Sequence, residues 1–363
     1  MTRRTFLASA AVRPGARQGT HHVYDFRGSP FEVGLQHGRA LSHEIRTEAD
    51  PAVSNLANKA GTTTQAALAG FRSKYEGIFR EHLANVLEEI HGIAEGAKLP
   101  YDYAFFAATR DMTRSGACTA LYAGKQQTKD GEVLIGQAKD TAAPLDRFRV
   151  MRISYASGRR MIILNYPGWI GNLAMTSDGL AYTGNSLYAT DPGSSTVPGS
   201  LLKRLIMEKK SVGEVLDAAR GMRFENGCLM VADASGRAAC IELVAGRTEV
   251  RDISAQAFGH TNEILTPSLQ RFERGEGRSA SSPLRQRNVN RLLAEQAHPI
   301  TPESMQQILR DHTDYPLSIC RHPDPRDVDT TNAAFVADLK RREMHIAIGN
   351  PCVAPFKRYD LPG

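Results

Sequence analysis

Apolar and polar positions change their spacing along the chain, and this change predicts mainly helices in the first third. An alternating segment, His22–Arg27, predicts a strand. Ser29 and Pro30 then form an N-cap and a first helical position, and they predict a helix through about Glu48. Apolar residues at helical spacing predict three further helices, over Thr64–Arg72, Tyr75–Ala97 and Tyr101–Met112.

From position 118 onward, short apolar stretches bounded by Gly, Asp and Pro predict mainly strands. The predicted strands are Thr119–Ala123, Glu132–Gly136, Phe148–Tyr155, Arg160–Asn165, Leu180–Gly184, Cys228–Ala232, Ala238–Val244, Thr248–Ile253, Ala257–Thr261, Ala333–Asp338 and Met344–Ile348. Helices are predicted at Gly199–Lys209, Val212–Gly221, Pro283–Ala297 and Pro302–His312. Many antiparallel strands with grouped helices predict an α+β fold in which sheet stacks on sheet and helices lie outside.

Composition and charge exclude several classes of function. At 41% hydrophobic and 23% charged residues, the chain has enough apolar material for a folded core. The net charge of +6 is small and scattered, and its densest run is Lys340-Arg341-Arg342, so we expect no nucleic-acid partner. No apolar stretch approaches the roughly 18 residues of a membrane span, so we expect no membrane partner.

The first 21 residues resemble a short targeting segment. Arg3-Arg4 precedes an apolar run, Phe6–Val12, in the manner of a twin-arginine signal. That run is at the lower limit for a signal, and charged and turn-forming residues end it. We therefore expect a disordered tail over residues 1–21 and a cytoplasmic protein, with export as the alternative.

Five cysteines occur without a CxxC pair or any short spacing, so we expect reduced thiols, no metal and no cofactor. One of them, Cys118, stands where the pattern changes from helices to strands, directly after Gly116-Ala117. Its thiol can attack the Ala117 carbonyl and release a new N-terminus, whose α-amino group has an ordinary pKa of about 7.7–8.0. Nucleophile and base then belong to one residue. A buried strand cysteine remains the plainer interpretation of this segment.

Seven motifs in register over residues 23 to 355 resemble the acyl-coenzyme A:isopenicillin N acyltransferase family. The first is Gly28-x-Pro30-Phe31-Glu32-x-Gly34-x-x-His37-Gly38. The others are Cys118-Thr119, Asp130-Gly131 to Gly136-Gln137-x-x-Asp140, Gly179-Leu180-x-x-x-x-Asn185-x-Leu187, His260-Thr261-Asn262, Tyr315-Pro316-x-Ser318-Ile319-Cys320-Arg321 and Gly349-Asn350-Pro351-Cys352.

The resemblance implies a self-processing N-terminal-nucleophile cysteine hydrolase (peptidase C45-like) with a four-layer αββα sandwich. It implies cleavage between Ala117 and Cys118, so that residues 22–117 form an α fragment and residues 118–363 a β fragment of one catalytic domain. Cys118 then matches the nucleophile, Asp140 the aspartate that orients its surroundings, and Asn262 an oxyanion-hole amide. Taken alone, Asp140 would be expected to cap a turn and Asn262 a loop.

Substrate contacts are expected from Lys139, Asn185, His260 and Arg321. Ala138 and Lys139 stand where the family usually has Asn and Trp, and Ala120 where the penicillin enzyme has a second threonine. Lys139 therefore indicates a changed pocket for a substrate with a carboxylate, unless its side chain points away. Arg110 and Arg114 precede the cut and either stabilise the thiolate or are simply solvated.

The predicted function is cleavage of a small amide or N-acyl compound, or transfer of an acyl group from an amide or acyl thioester to an amine, through a thioester acyl-enzyme. One alternative is a papain-like cysteine hydrolase without self-cleavage, because His260 and Asn262 follow Cys118 at a separation within the papain-like range of about 130–150 residues. The other alternative is a non-catalytic protein that binds a metabolite in the same pocket.

Overall fold

The computed structural model contains both helices and strands along the chain. The residues that it describes are 16–110, 117–142, 147–190, 193, 196–274, 280–296, 299–324 and 329–363. The predicted twin-arginine segment and Arg114 lie outside these residues. Among the helices that are described, none combines the length and the apolar character needed to cross a membrane.

Ten helices form in the described chain, and the first begins as the sequence predicts. The Ser29 side chain accepts a hydrogen bond from the Glu32 N–H, Glu32 reaches back to the Ser29 N–H, and Pro30 is the first helical residue. The helices are α1 Pro30–Ala40, α2 Ser42–Ala60, α3 Thr64–His82, α4 Ala84–Ala97, α5 Tyr101–Thr109, α6 Gly199–Glu208, α7 Val212–Ala218, α8 Pro267–Gln270, α9 Ser281–Glu295 and α10 Pro302–Leu309.

Fourteen described strands form two sheets. The strands are β1 Val23–Gly28, β2 Cys118–Ala123, β3 Leu134–Thr141, β4 Arg149–Tyr155, β5 Arg160–Asn165, β6 Leu173–Thr176, β7 Leu180–Asn185, β8 Gly227–Asp233, β9 Ala238–Val244, β10 Arg247–Asp252, β11 Ala257–His260, β12 Thr330–Asp338, β13 Glu343–Ile348 and β14 Lys357–Asp360. The eight-stranded sheet has the order β1-β4-β5-β6-β7-β8-β9-β10, and the six-stranded sheet has the order β11-β2-β3-β12-β13-β14. Neighbours are antiparallel except for β1 and β4.

Three hydrophobic cores define the order of the layers. The first core joins helices α1–α7 to one face of the eight-stranded sheet. The second lies between the two sheets, where residues such as Tyr122 and Phe335 meet Ile162 and Met230. The third joins the far face of the six-stranded sheet to α9 and α10. The predicted α+β fold of four layers, αββα, is therefore confirmed.

Glycines allow α1 and α4 to pack backbone to backbone. A Cβ at Gly34 would lie 1.9 Å from the Glu89 carbonyl oxygen, and one at Gly92 would lie 2.1 Å from that of Phe31. Both distances are far inside van der Waals contact, so neither position accepts a side chain. The Gly34-x-x-His37-Gly38 motif thus has a packing function, and His37 accepts a hydrogen bond from the Gly168 N–H at 3.0 Å.

The structure differs from the predicted elements at several places. The helix predicted through about Glu48 ends at Ala40, and a separate helix over residues 42–60 follows it. The predicted helix Tyr75–Ala97 is interrupted at Leu83, where no glycine or proline marks the break. Strands β6 and β14, each of four residues, are absent from the predicted elements. Asp140 lies within β3 rather than in a turn.

Part of the predicted disordered tail is held by the six-stranded sheet. The Arg17 N–H donates to Asn350 Oδ1 at 2.9 Å, and the Gly19 N–H donates to the Ile348 carbonyl at 2.9 Å. Gly349 permits this approach, because a Cβ there would lie 2.5 Å from the Arg17 carbonyl oxygen. Residues 17–19 are thus ordered by backbone hydrogen bonds that hydrophobic patterning cannot reveal.

Candidate active site

Cys118 is the first residue of β2, an inner strand of the six-stranded sheet. It is buried, with β11 on one side and β3 on the other, and it pairs with Lys139. The peptide that precedes it is held on both sides. The Cys118 N–H donates to Asn262 Oδ1 at 2.9 Å, and the Ala117 carbonyl accepts from the Asp140 N–H at 2.9 Å. The predicted cleavage point is therefore a fixed, buried peptide bond.

Arg285 of α9 lies directly against this peptide and is fully buried. Its Nη1 donates to the Cys118 carbonyl at 2.7 Å and to Thr119 Oγ1 at 2.9 Å, and its Nη2 donates to Asn262 Oδ1 at 2.9 Å. Burial lowers the pKa of the guanidinium to about 10, and the neighbouring Asp140 and Cys118 oppose this shift. The cation remains charged at neutral pH.

Asn185, at the end of β7, connects the two sheets behind Cys118. Its Nδ2 lies 3.3 Å from the Cys118 carbonyl and also donates to the His260 and Thr261 carbonyls, at 2.8 and 2.6 Å. Gln137 holds the amide in this orientation by donating to Asn185 Oδ1 at 2.9 Å. Asn262 is held in a similar way, because its Nδ2 donates to the Ser186 carbonyl at 2.9 Å.

Asp140 is the buried carboxyl of the site. Thr331 Oγ1 donates to its Oδ1 at 2.7 Å, and an Arg321 nitrogen lies 4.0 Å from its Oδ2. Within the described residues, Oδ2 accepts no hydrogen bond. Burial raises the pKa of Asp140 to about 7, although Arg321, Arg285 and Thr331 act in the opposite direction. The group therefore titrates near neutral pH.

These five residues, Cys118, Asp140, Asn262, Arg285 and Arg321, are called the Cys118 cluster below. All five side chains are buried. The three predicted catalytic residues thus lie together, and Arg321 is the one predicted substrate contact that approaches Asp140. A buried group whose pKa is displaced by burial and by specific charged neighbours is typical of functional sites.

His260 is in a different environment from the one that a papain-like base requires. Its Nε2 bonds to Glu242 Oε1 at 2.9 Å, and its Nδ1 bonds to the Thr261 carbonyl at 2.8 Å. Burial would raise the pKa of Glu242, but hydrogen bonds from His260, Thr266 and Leu265 outweigh it and hold the pKa at about 2. Since both ring nitrogens are occupied, the imidazole is not directed at the Cys118 thiol.

A cavity of about 120 Å³ opens beside the site. Of the predicted substrate contacts, Lys139 and Asn185 line it, whereas His260 and Arg321 do not. The other lining residues include Tyr166, Trp169, Asn172, Lys203 and Glu225. In the described part of the chain, the Tyr166 hydroxyl, Trp169 Nε1 and Asn172 Nδ2 have no hydrogen-bond partner although they are buried. These groups can donate hydrogen bonds to a bound molecule.

Sequence reasoning missed Arg285 and three hydrogen-bond donors of the cavity, which belong to Tyr166, Trp169 and Asn172. A signal for Arg285 does exist, because it occupies the buried stripe of α9 with Val289 and Leu293, a position where an arginine needs a polar partner. Tyr166, Trp169 and Asn172 follow β5 without any motif. Arg110, for which the sequence leaves two roles open, is buried rather than solvated, donates to the Glu48 carbonyl at 2.9 Å and lies 5.7 Å from the centre of the Trp169 ring.

The fold and the site together define a class of proteins: αββα sandwiches with a cysteine at the start of an inner strand. A family model described as acyl-coenzyme A:6-aminopenicillanic acid acyl-transferase matches residues 127–352. The chain belongs to this family. It is 25% identical over 342 residues to the acyl-coenzyme A:6-aminopenicillanic-acid-acyltransferase 40 kDa form of Emericella nidulans, covering 90% of this chain and 92% of that protein.

Two solved structures are also similar. A mutant conjugated bile acid hydrolase from Clostridium perfringens aligns with 68% of this chain and 97% of its own, at 14% identity and a TM-score of 0.44. Penicillin V acylase from Agrobacterium tumefaciens aligns with 66% of this chain and 77% of its own, at 13% identity and a TM-score of 0.34.

Proposed function

We propose that this chain cuts itself between Ala117 and Cys118 and then acts as an N-terminal-cysteine amidohydrolase or acyltransferase. The observation that carries the proposal is the geometry of the Ala117–Cys118 peptide. Its N–H is fixed by Asn262 and its carbonyl by the Asp140 N–H, both at 2.9 Å. A buried peptide bond that is polarised at its carbonyl and preceded by a small residue is well prepared for attack by its own thiol.

Self-cleavage is proposed to begin when Cys118 Sγ adds to the Ala117 carbonyl carbon and passes its proton to the departing nitrogen. The Asp140 N–H continues to donate to the carbonyl oxygen while negative charge develops there. One such donor typically contributes about 3–4 kcal/mol to stabilisation of the transition state. Breaking of the C–N bond leaves a thioester of Ala117 and a free α-amino group on Cys118. Water then hydrolyses the thioester and leaves fragments of 117 and 246 residues.

In the mature enzyme the Cys118 α-amino group accepts the thiol proton as Sγ attacks an amide or an acyl thioester. The leaving amine or thiol takes up that proton, and the acyl group remains on Cys118 as a thioester. Water or a second amine then accepts the acyl group. Asn262 is the proposed oxyanion donor, because its side chain contacts the Cys118 backbone and its Nδ2, which bonds to the Ser186 carbonyl, is a neutral donor that can serve the tetrahedral oxygen.

The proposed substrate carries a carboxylate. Lys139 lines the cavity and makes no ion pair with the described residues, and three unpartnered donors line the same space. Such donors favour an acceptor-rich group, because a buried donor without a partner is unfavourable. The occupied nitrogens of His260 weigh against the papain-like alternative. Binding without turnover remains the second candidate function, since the same donors would serve a purely binding site.

The test is direct detection of the acyl-enzyme. Purified protein is mixed with a panel of N-acyl amino acids and acyl thioesters, quenched in acid and measured by mass spectrometry. We expect a thioester adduct on a fragment that begins at Cys118, absent in Cys118→Ala and retained in Cys240→Ala. With a competing amine present, the product ratio separates transfer from hydrolysis. If no adduct and no product form with any member of the panel, the binding function is favoured.

Lys139 provides the test of the carboxylate. Lys139→Met should reduce kcat/KM for an N-acyl amino acid by about 10–100-fold, since a charged hydrogen bond contributes about 1.5–3 kcal/mol. The matched amide that lacks the carboxylate should be affected less than about threefold. Equal losses for both compounds would assign Lys139 a general structural role instead.

A further inference from the structure

Four side chains outside the Cys118 cluster bring two imidazoles and two thiols to one point. They are His312, Cys320, His322 and Cys352, and their ligand atoms all lie within 4.8 Å of one another. Cys320 and His322 are buried, whereas His312 and Cys352 are partly exposed. The group is therefore anchored in the protein interior and reachable from solvent on one side.

The distances match those of a tetrahedral metal site with two sulfur and two nitrogen ligands. Cys320 Sγ lies 3.6 Å and Cys352 Sγ 3.7 Å from His322 Nε2. With Zn–S at about 2.3 Å and Zn–N at about 2.0–2.1 Å, a tetrahedron has S···N edges of about 3.6 Å and an N···N edge of about 3.3 Å. The Nε2 atoms of His312 and His322 are 2.9 Å apart, so the partly exposed His312 ring needs to move by only a few tenths of an ångström.

The ligands come from three places in the fold. His312 follows α10, Cys320 and His322 lie in the segment before β12, and Cys352 lies in the turn after β13. None of these separations corresponds to a zinc-finger spacing, which explains why the sequence predicted no metal. Two thiolates and two neutral imidazoles balance the charge of a divalent cation. Soft sulfur with imidazole in a tetrahedral set is a donor combination that zinc prefers.

We propose that His312, Cys320, His322 and Cys352 bind one zinc ion in a closed structural site. Binding forms two Zn–S and two Zn–N bonds and releases the protons of the two thiols to solvent. All four positions are filled by protein, so the ion stabilises structure and activates no water. Since Arg321 lies between two ligands and faces Asp140 at 4.0 Å, the ion fixes the segment that carries Arg321 to the Cys118 cluster.

A second sulfur and imidazole group provides an internal comparison. Cys228, Cys240 and His260 also lie within 4.8 Å of one another. Here, however, both nitrogens of His260 are already bonded, to Glu242 and to the Thr261 carbonyl. A metal would have to displace the Glu242 carboxylate from His260. We therefore assign the zinc to the four-ligand group alone, and Cys240 serves as the control.

Metal content tests the assignment. The chain is purified without a histidine tag, loaded with equimolar zinc and desalted, and its zinc is measured by mass spectrometry. We expect about one zinc per chain in the wild type and in Cys240→Ala. Cys352→Ser and His312→Ala change partly exposed residues and should bind zinc at least about 100-fold more weakly, because loss of even an outer-sphere contact costs about 10–100-fold. A chromogenic chelator measures this affinity by competition.

Cobalt substitution of the wild type reports the coordination without any variant. A tetrahedral site with two thiolates gives ligand-field bands in the visible range and thiolate-to-cobalt charge transfer in the near ultraviolet. The proposal would be overturned if the wild type retained no more zinc than Cys352→Ser does. It would also be overturned if the cobalt protein lacked these bands. A Cys320–Cys352 disulfide in the protein as isolated would also overturn it. These readouts need no catalytic activity, so they are independent of the proposed function.

Discussion

Two buried arginine clusters lie in different layers, one between the helices and the eight-stranded sheet and the other around the six-stranded sheet, and they are built differently. The Arg204 cluster comprises Glu89, Tyr155, Arg204 and Glu208. Arg204 donates to Glu89 Oε2 at 2.8 Å, and the Tyr155 hydroxyl donates to the same oxygen at 2.7 Å. Glu208 lies 3.0 Å from the same guanidinium. In this cluster the arginine is matched by carboxylates in direct contact.

The Cys118 cluster has no such direct contact between a guanidinium and Asp140. The Arg285 donors are directed at the Cys118 carbonyl and the Asn262 amide rather than at a carboxylate. Asp140 lies 4.0 Å from Arg321, whose guanidinium is instead 3.2 Å from Asp329, and Asp140 Oδ2 has no hydrogen bond from the described residues. A buried charge without a close partner is unfavourable for folding. Under the proposed function, the Arg204 cluster serves stability and the Cys118 cluster serves chemistry.

Arg204→Met should give the largest loss of stability. It leaves Glu89 buried without its cation, and removing one partner of a buried ion pair costs about 3–5 kcal/mol. The free energy of unfolding is measured in urea on the Cys118→Ala background, so that every chain is uncut. Arg220→Met is the control, because Arg220 and Asp217 form an exposed pair that should contribute less than about 1 kcal/mol. Similar losses in both variants would remove the distinction between the clusters.

Asp140→Asn should change the pH dependence of stability. The pKa of Asp140 is raised from 3.8 to about 7, so the folded state favours the protonated carboxyl. Its contribution to stability is fully present below about pH 4 and is lost as the pH rises through about 7. At about 1.4 kcal/mol per pKa unit, the wild type should lose up to about 4 kcal/mol over this range relative to Asp140→Asn.

The control for this pH effect is Asp252, an exposed residue whose pKa is lowered by hydrogen bonds from the Ser254 side chain and backbone. Its contribution has the opposite sign, because a lowered pKa stabilises the fold as the pH rises. Urea unfolding of Asp140→Asn and Asp252→Asn at pH 4, 5.5, 7 and 8 tests both. Parallel curves for the wild type and Asp140→Asn would show that folding does not raise the pKa of Asp140.

Among Arg204→Met, Asp140→Asn and Arg285→Met, the last should reduce the stability of the fold least. It should nevertheless strongly reduce self-cleavage and turnover. The Cys118 carbonyl keeps Asn185 as a donor and Asn262 Oδ1 keeps the Cys118 N–H, so the loss should be about 1–2 kcal/mol. Self-cleavage and turnover should both fall by at least about tenfold, because Cys118 and Asn262 lose a shared contact. A variant that unfolds as easily as Arg204→Met but cleaves normally would reverse the assignment of the two clusters.

The sequence predicts the fold better than it predicts the surroundings of Cys118. Apolar periodicity identified most strands and the change from helices to strands at Cys118, because each signal lies within a few residues. Arg285 is 167 positions from Cys118 and reaches it only because α9 packs against β2 and β11. No local pattern contains that contact.

The cavity and the proposed zinc ligands escape prediction from sequence for the same reason, because their residues meet only in the folded protein. Tyr166, Trp169 and Asn172 become neighbours of Lys139 only when the two sheets stack. Cys320 and Cys352 were predicted to be ordinary thiols, and only the turn after β13 brings Cys352 to the histidines. The glycines of α1 belong to the family motif, but their contacts with the α4 backbone form only in the packed helix pair.

The central claim is that the Cys118 cluster carries out self-cleavage, and the intact mass of freshly purified chains tests it most directly. The account predicts fragments of 117 and 246 residues for the wild type, the larger beginning at Cys118, and a single uncut chain for Cys118→Ala. Cys240→Ala should cleave like the wild type. A wild-type chain that remains a single species of 363 residues while it turns over substrate would contradict the account.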